Sequence, residues 1–431
     1  MINLGHPLVR LADEIDWRRF DQVFGVTYSE DSGRPAIATR LMVALHYLKY
    51  LHDLSDEQVV SAWVENPYWQ YLSGMKFFEH RLPIDPSSMT RWRARIGEAG
   101  AEELLAETLA APSGLKLKAV KPRQLKRVNV DTTVQEKHIR FPTDARLYDR
   151  MRERLVKQAR ADGIELRQTY VRTGKQLLYQ QSRYAHAKQF KRARKCTRKL
   201  RTFLGRVMRD VERKAITPSH ELTHLLELGT RLYRQQRHDK NKLYSVHAPE
   251  VECISKGKAH KRYEFGNKVA VAATSKGGWL LAAKACHGNP YDGHTLKETM
   301  EQVDRVIGRI PEHVYVDMVY RGHDYEGEAE IHVDKRKRGR IAKSVWRWMK
   351  RRAGVEPSIA HLKDHKRMDR NRLKGKVGDA INALLSAAGM NLSKIIKALR
   401  ALLSLLALLH TWLRPTRPAD STTRSSWRIA A

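Results

Sequence analysis

The chain has 431 residues and carries 81 Lys and Arg against 47 Asp and Glu, a formal charge of +34. That length excludes a small stapled scaffold and leaves room for two or three domains. The charge points to a polyanionic partner, held by phosphate attraction that weakens with salt and reads no sequence by itself. Cys196, Cys253 and Cys286 are single and far apart, which gives no basis for a disulfide framework or a zinc cluster.

The first residues, MINLGHPLVRLADEID, lack a basic stretch followed by an apolar core, so no signal peptide is expected. The most apolar segment, 398–413, is short and contains Arg400, which argues against a spanning helix. The expectation is a soluble cytoplasmic protein with no membrane partner. Residues 1–110 hold 11 bases and 16 acids, so an excess of +39 falls on residues 111–431.

In chain order, Leu41, Leu45, Leu48 and Leu51 recur at three and four residues, the mark of an amphipathic helix. Ser55 with Gln58 forms a capping box that predicts a second helix from Asp56 to about Val64. In DPSSMTRWRARIG, Ser87 or Ser88 offers an N-cap to a helix bearing Arg91, Arg93 and Arg95, a local basic cluster that suits groove reading in a helix-turn-helix arrangement. A plain helical packing module fits the same residues. Residues 1–110 are therefore expected to be an all-α, DNA-binding N-terminal domain, and residues 111–126, rich in Lys, Gly and Pro, a linker.

LKRVNVDTTV alternates Val128 and Val130 with polar residues and predicts a short buried strand ending at Asp131. From Asp144 to about Gln236 the pattern turns helical. Residues 188–201 carry eight bases and no acid, either a solvated helix face or a phosphate-tracking surface. Strand signals return at KLYSVHAPEVECI, YEFGNKVAVAAT and GWLLAAKACHG, with a turn at Gly277 and Gly278. A helix over DGHTLKETMEQVDRVIGRI precedes another apolar run, HVYVDMVY. This order predicts an α/β fold with Asp131 and Asp317 near strand ends. The last eighteen residues have the composition of a tail.

Cleavage of a phosphodiester near neutral pH needs an activated nucleophile and stabilised charge on the entering and leaving oxygens, which two Mg²⁺ ions provide. Such hard ions take oxygen ligands and need only a few carboxylates. Asp131, Asp317 and Glu356 meet that requirement inside a basic surface, since every charged residue from Lys335 to Arg352 is basic. A turn former or helix cap is the competing role for a strand-terminal Asp. Helical offsets of −4 and +7 would put Arg352 and Lys363 on the face of Glu356. Pro357 suits a first turn, so the helix should start at Glu356 or kink there. His287, Asn289, Asp292 and His294 could form an auxiliary polar site or a loop and cap.

Three segments, NVDTTVQEKHIRFPTDARLYDR (129–150), VYVDMVYRG (314–322) and RRAGVEPSIAHLKDHKRMDRNRLKGKVGDAINALLSAAGMNL (351–392), resemble successive blocks of bacterial insertion-sequence DDE transposases, in particular the fifth-numbered insertion-sequence family and its relatives. Residues 18–105 resemble that group's helical N-terminal domain. The resemblance implies a ribonuclease H-like catalytic domain over 127–396, with a basic helical insertion at about 145–240, followed by a C-terminal helix and disordered tail over 397–431. It implies that Asp131, Asp317 and Glu356 are catalytic and hold two Mg²⁺, for which Mn²⁺ can substitute, and that Arg352, Glu356 and Lys363 form the family's Arg, Glu, Lys signature. Arg321 follows the second Asp as in the family and joins Arg352, Lys363, Arg91, Arg93 and Arg95 as expected DNA contacts.

The chain departs from the family pattern at Met349, where Tyr is usual, and at Val319, where Gly is usual. The implied function is cutting at terminal inverted repeats and joining 3′-OH ends to target DNA, by a homodimer in a synaptic complex, in a bacterial cytoplasm at the nucleoid. A structure-selective nuclease that never joins, and an inactive DNA-binding relative, are the alternatives.

Overall fold

The computed structural model describes residues 2–26, 28, 36–110, 120–255, 261–334 and 342–413. The expected tail and most of the expected linker lie outside them. Six helices open the chain: α1 (Pro7–Glu14), α2 (Trp17–Gly25), α3 (Thr39–Leu51), α4 (Asp56–Glu65), α5 (Pro67–Leu72) and α6 (Ser87–Ala110). The capping box forms, with Ser55 N donating to Gln58 Oε1 at 2.9 Å and Gln58 N to Ser55 Oγ at 3.1 Å. In α3 every residue from Leu41 to Tyr50 is buried, so this helix is a core element and not a half-exposed one. Gly97, at φ +62°, kinks α6, a conformation that costs glycine little.

A helical turn, α7 (Pro122–Leu125), leads into β1 (Arg127–Glu136). The strand does not end at Asp131 as expected. Thr132, Thr133 and Val134 are β-branched and favour extended backbone. They pair onward, to Glu136 opposite Gly266, on a partner strand of 12 residues.

The predicted helical stretch follows as α8 (Asp144–Ala161), α9 (Val171–His186), α10 (Phe190–Lys214) and α11 (His220–Arg234), with an apolar cluster of its own. In α10, Ala193, Cys196, Leu200, Leu204, Val207 and Val211 are buried at spacings of three and four. The bases of residues 188–201 therefore fall on the opposite face, where all are exposed except half-buried Arg201.

The sheet is completed by β2 (Glu252–Ser255), β3 (Tyr263–Thr274), β4 (Leu280–Cys286), β5 (His313–Val316) and β6 (Glu330–Val333), with α12 (Leu296–Ile307) between β4 and β5. Its order is β4, β3, β1, β5, β6, and β2 shares the outer edge of β3 with β4. β3 runs antiparallel to β1 and β4, while β5 is parallel to β1 and β6 to β5. The segment KLYSVHAPEVECI contributes only Glu252, Cys253 and Ile254, three of the four residues of β2, and β6 was not anticipated.

Side chains alternate across a strand. Val128, Val130, Val314 and Val316 pack with α12 in one cluster, which leaves Asn129, Asp131, Tyr315 and Asp317 on the other face. That face is covered by α13 (Lys343–Arg352) and α14 (Val355–His365), and beside them by α15 (Gly375–Leu413).

Helices of residues 1–110 share one apolar cluster with α15, β3 and β4. Tyr50 Oη donates to Asn382 Oδ1 at 2.8 Å, and α3 approaches α15 so closely that a Cβ on Gly389 would lie 2.7 Å from the Tyr50 carbonyl oxygen. α15 runs unbroken past residue 396, through the expected domain boundary. No described helix is long and apolar enough to cross a membrane.

Candidate active site

Register places three aspartates side by side. β1 pairs with β5 as Val128 with Val314 and Asn129 with Tyr315, and β5 pairs with β6 as Val316 with Val333. Continued along the strands, the same offsets align Asp131, Asp317 and Asp334 at the C-terminal end of the parallel pairs. Parallel partners point to the same face, roughly 4.8 Å apart from strand to strand. Asp131 Oδ1 accepts from Thr132 N at 2.8 Å, and Asp317 Oδ1 accepts from Met318 N at 2.6 Å, so local backbone orients both carboxylates.

Arg352 spans this row. Its guanidinium nitrogens lie 3.8 Å from Asp131 Oδ2, 3.9 Å from Asp317 Oδ1, 3.9 Å from Asp334 Oδ2 and 4.0 Å from Glu356 Oε1. These are attractive separations but longer than hydrogen bonds, and Nε and Nη1 are buried without a hydrogen-bond partner. Among the described residues, four carboxylates thus lie within 4.0 Å of this one guanidinium.

Arg352 and Glu356 lie on two successive helices, a break of the kind expected from Pro357, though one residue earlier than Glu356. Pro357 has no N–H to give the carbonyl of residue 353, and its ring crowds that carbonyl. The helix accordingly breaks at Ala353 and Gly354, where Glu356 N donates to Ala353 O at 3.1 Å. Both residues of the break keep right-handed helical dihedrals, which is why the i,i+4 approach survives. Asn129, 2% exposed, ties the end of α13 to the sheet: its Nδ2 donates to Arg351 O at 3.0 Å, and its Oδ1 accepts from Ser275 Oγ at 2.6 Å.

A family model described as a transposase domain (DUF772) matches residues 1–95, and one described as a transposase DDE domain matches residues 230–392. A Rhizobium meliloti protein described as "Uncharacterized protein ORF8 in nfe locus" is 56% identical over 190 residues, 44% of this chain and 90% of that one. The chain belongs to the insertion-sequence DDE transposases. No solved structure matches it. The DDE-domain match spans Asp317, Asp334 and Glu356; Asp131 lies ahead of it and joins them through the sheet.

Other expected site residues of the transposase fall in different places. Lys363 is two turns along α14 from Glu356, about 10 Å, and its Nζ is 3.9 Å from Glu264 Oε1. Arg321 is exposed just past Asp317, and its carbonyl accepts from Tyr291 Oη at 2.8 Å. The cluster of Arg91, Arg93 and Arg95 is corrected in part. Arg93 is 4% exposed and donates through both terminal nitrogens to Asp56, at 2.9 and 2.6 Å, so it cannot reach DNA. Burial opposes the Asp56 charge, but Arg93 and Lys49 overcome it and hold the carboxyl below its usual range. Arg95 lies over the Tyr28 ring at 4.3 Å, and Arg91 donates to Ser88 Oγ at 3.0 Å; both are exposed.

The two departures from the family pattern are accommodated. Val319 sits in a single 3₁₀ turn, Met318–Tyr320, without a positive φ, so the turn does not require glycine. Met349 is the buried residue of α13. Tyr320 is fully buried, and burial first, then the Asp131 charge, raises its phenol well above the ordinary range. The residues of the expected auxiliary polar site divide: Asp292 pairs with Lys268 at 2.7 Å, while His287 lies 3.6 Å from Glu252 and 3.8 Å from Asp379.

Sequence patterning missed Asp334 and Asn129. Asp334 follows a four-residue strand too short for a periodic signal. Asn129 is polar at a position where a strand pattern reads simply as "outward".

Proposed function

We propose that this chain binds double-stranded DNA at terminal inverted repeats, hydrolyses a phosphodiester bond at each end with two divalent cations, and joins the freed 3′-OH to target DNA. The single observation that carries the proposal is the aspartate row across β1, β5 and β6, closed by Glu356. We further assign the sheet to a ribonuclease H-like core. Its support is the order β4, β3, β1, β5, β6 with three antiparallel strands followed by two parallel ones, and helices inserted after the first strand.

The donors fit hard cations, being carboxylate oxygens only. Asp131, Asp317 and Glu356 would hold the pair of Mg²⁺ or Mn²⁺ ions, with Asp334 a further carboxylate beside them. When bound, such ions activate a nucleophile and stabilise charge on both reacting oxygens. The chain's own residues orient and bind. Backbone N–H groups of Thr132 and Met318 fix the aspartates, and Arg352 stands where it can take a phosphate oxygen once cations neutralise the row.

The exposed bases of α10, and an open cavity of about 460 Å³ lined by Arg167, Arg206, Arg209 and Arg213, offer phosphate contacts away from the acids. On this account residues 1–110 are a DNA-binding domain, 127–396 the catalytic domain, and the working form a homodimer in a synaptic complex at the nucleoid. Asp131→Asn, Asp317→Asn and Glu356→Gln should each abolish Mg²⁺-dependent cleavage of DNA carrying the ends while leaving end binding largely intact; a fully active single variant refutes the assignment. Pre-cut ends incubated with a target plasmid should give joined product, whereas cleavage without joining would leave a nuclease.

A further inference from the structure

His313 opens β5, and Glu330 and His332 lie on β6, with His313 opposite Glu330 in the parallel register. Their side chains share the face of the aspartate row but sit at the other end of the strand. His313 is four residues before Asp317, about 13 Å along extended backbone.

Three donor atoms converge there. His313 Nδ1 is 3.0 Å from Glu330 Oε2, His332 Nε2 is 3.5 Å from the same oxygen, and the two nitrogens are 3.2 Å apart. A tetrahedral ion with bonds of about 2.0–2.1 Å requires neighbouring ligands roughly 3.3 Å apart, and all three separations bracket that value. A hydrogen on one nitrogen could serve one of these three contacts, while an ion serves all three at once.

The surroundings hold the donors in place. His332, the most buried of the three, stacks on Tyr315 with ring centroids 4.8 Å apart, and His313 N donates to Lys126 O at 2.9 Å. Arg127, the cation opposite His313, has its guanidinium over the Trp348 ring at 5.1 Å. Glu330 is the exposed member, so the cluster is open to solvent on its side.

We propose that His313, Glu330 and His332 form a transition-metal site of the zinc class, separate from the all-oxygen acidic row. Two imidazoles and one carboxylate suit Zn²⁺, Co²⁺ or Ni²⁺ and are a poor set for Mg²⁺. The ion ties edge strand β6 to β5, two residues ahead of Asp334, and so steadies the strand end that presents a carboxylate to the row.

The test uses the full chain, stripped with a chelator and titrated with Zn²⁺ by calorimetry and with Co²⁺ by visible absorption. Expected are one tight Zn²⁺ per chain, the d–d bands of tetrahedral Co²⁺, and a higher melting temperature with Zn²⁺. His332→Gln should weaken Zn²⁺ about 100-fold or more, the upper range for losing even an outer partner of a ligand. Glu330→Gln, at an exposed position that leaves folding unaffected, should also weaken it. Asp131→Asn should leave Zn²⁺ binding unchanged. Absence of tight Zn²⁺ binding, unchanged affinity in Glu330→Gln and His332→Gln, or loss in Asp131→Asn would overturn the site.

Discussion

Arg352→Gln removes a cation that lies within 4.0 Å of four carboxylates. Two unit charges 4 Å apart attract by about 4 kcal/mol at an effective dielectric of 20 and about 1 kcal/mol in water. Asp317 and Glu356, with side chains 40% and 63% exposed, belong near the second value after screening, while Asp131 at 20% belongs nearer the first. Arg352 is itself only 12% exposed, and its desolvation offsets part of this attraction. The metal-free variant should therefore lose about 2–4 kcal/mol, close to the usual cost of removing one partner from a buried pair.

For a chain of this length unfolding as a unit, that is a fall in melting temperature on the order of 2–4 °C. Scanning calorimetry in EDTA and again in Mg²⁺ checks it. The deficit should be full in EDTA and shrink in Mg²⁺, because the added cations supply the missing charge, and Arg352→Lys should recover much of it. An equal deficit in both buffers, or none in EDTA, would mean that Arg352 does not neutralise the row.

Asn129→Leu should remove the hydrogen bonds to the partly buried Arg351 carbonyl and Ser275 hydroxyl, at a cost of about 1 kcal/mol. By loosening α13 it should lower the rate of end cleavage more than the affinity for ends; an unchanged rate would show that the tie does not position Arg352. Arg93→Ala should cost about 1–3 kcal/mol, since it removes two charge-assisted hydrogen bonds and leaves Asp56 with Lys49 alone, 2.7 Å away, with folding measured in urea. The pH dependence has a definite sign. The folded-state pKa of Asp56 is depressed, so its contribution is complete above the ordinary Asp value near 3.9 and is lost only as pH falls below that. In Arg93→Ala, burial acts with less opposition and acid unfolding should move to higher pH; an unmoved acid midpoint would contradict the pairing.

Much of the fold was legible because its signals are local. The three- and four-residue spacing of α3, the Ser55 and Gln58 box, and the apolar runs on either side of the turn at Gly277 and Gly278 all act within a few residues. What escaped depends on pairing across the chain. β1 extends past Asp131 because β3, more than a hundred residues later, offers partners as far as Gly266. β6 is a strand because β5 pairs with it. Arg93 looked like a DNA contact because its neighbours are basic, yet Asp56, 37 residues earlier, claims it. The sequence placed Asp131, Asp317, Arg352 and Glu356 in one neighbourhood; Asp334 joins them only through the register of a four-residue edge strand.

The central claim, that the acidic row and Glu356 chelate a pair of cations, is tested most directly by Mn²⁺ titration calorimetry with end DNA present. A His332→Gln background removes the nitrogen-rich site from the signal. Two coupled Mn²⁺ per chain, lost together when Asp317→Asn is added, is the predicted result, and a titration that Asp317→Asn leaves unchanged would contradict it.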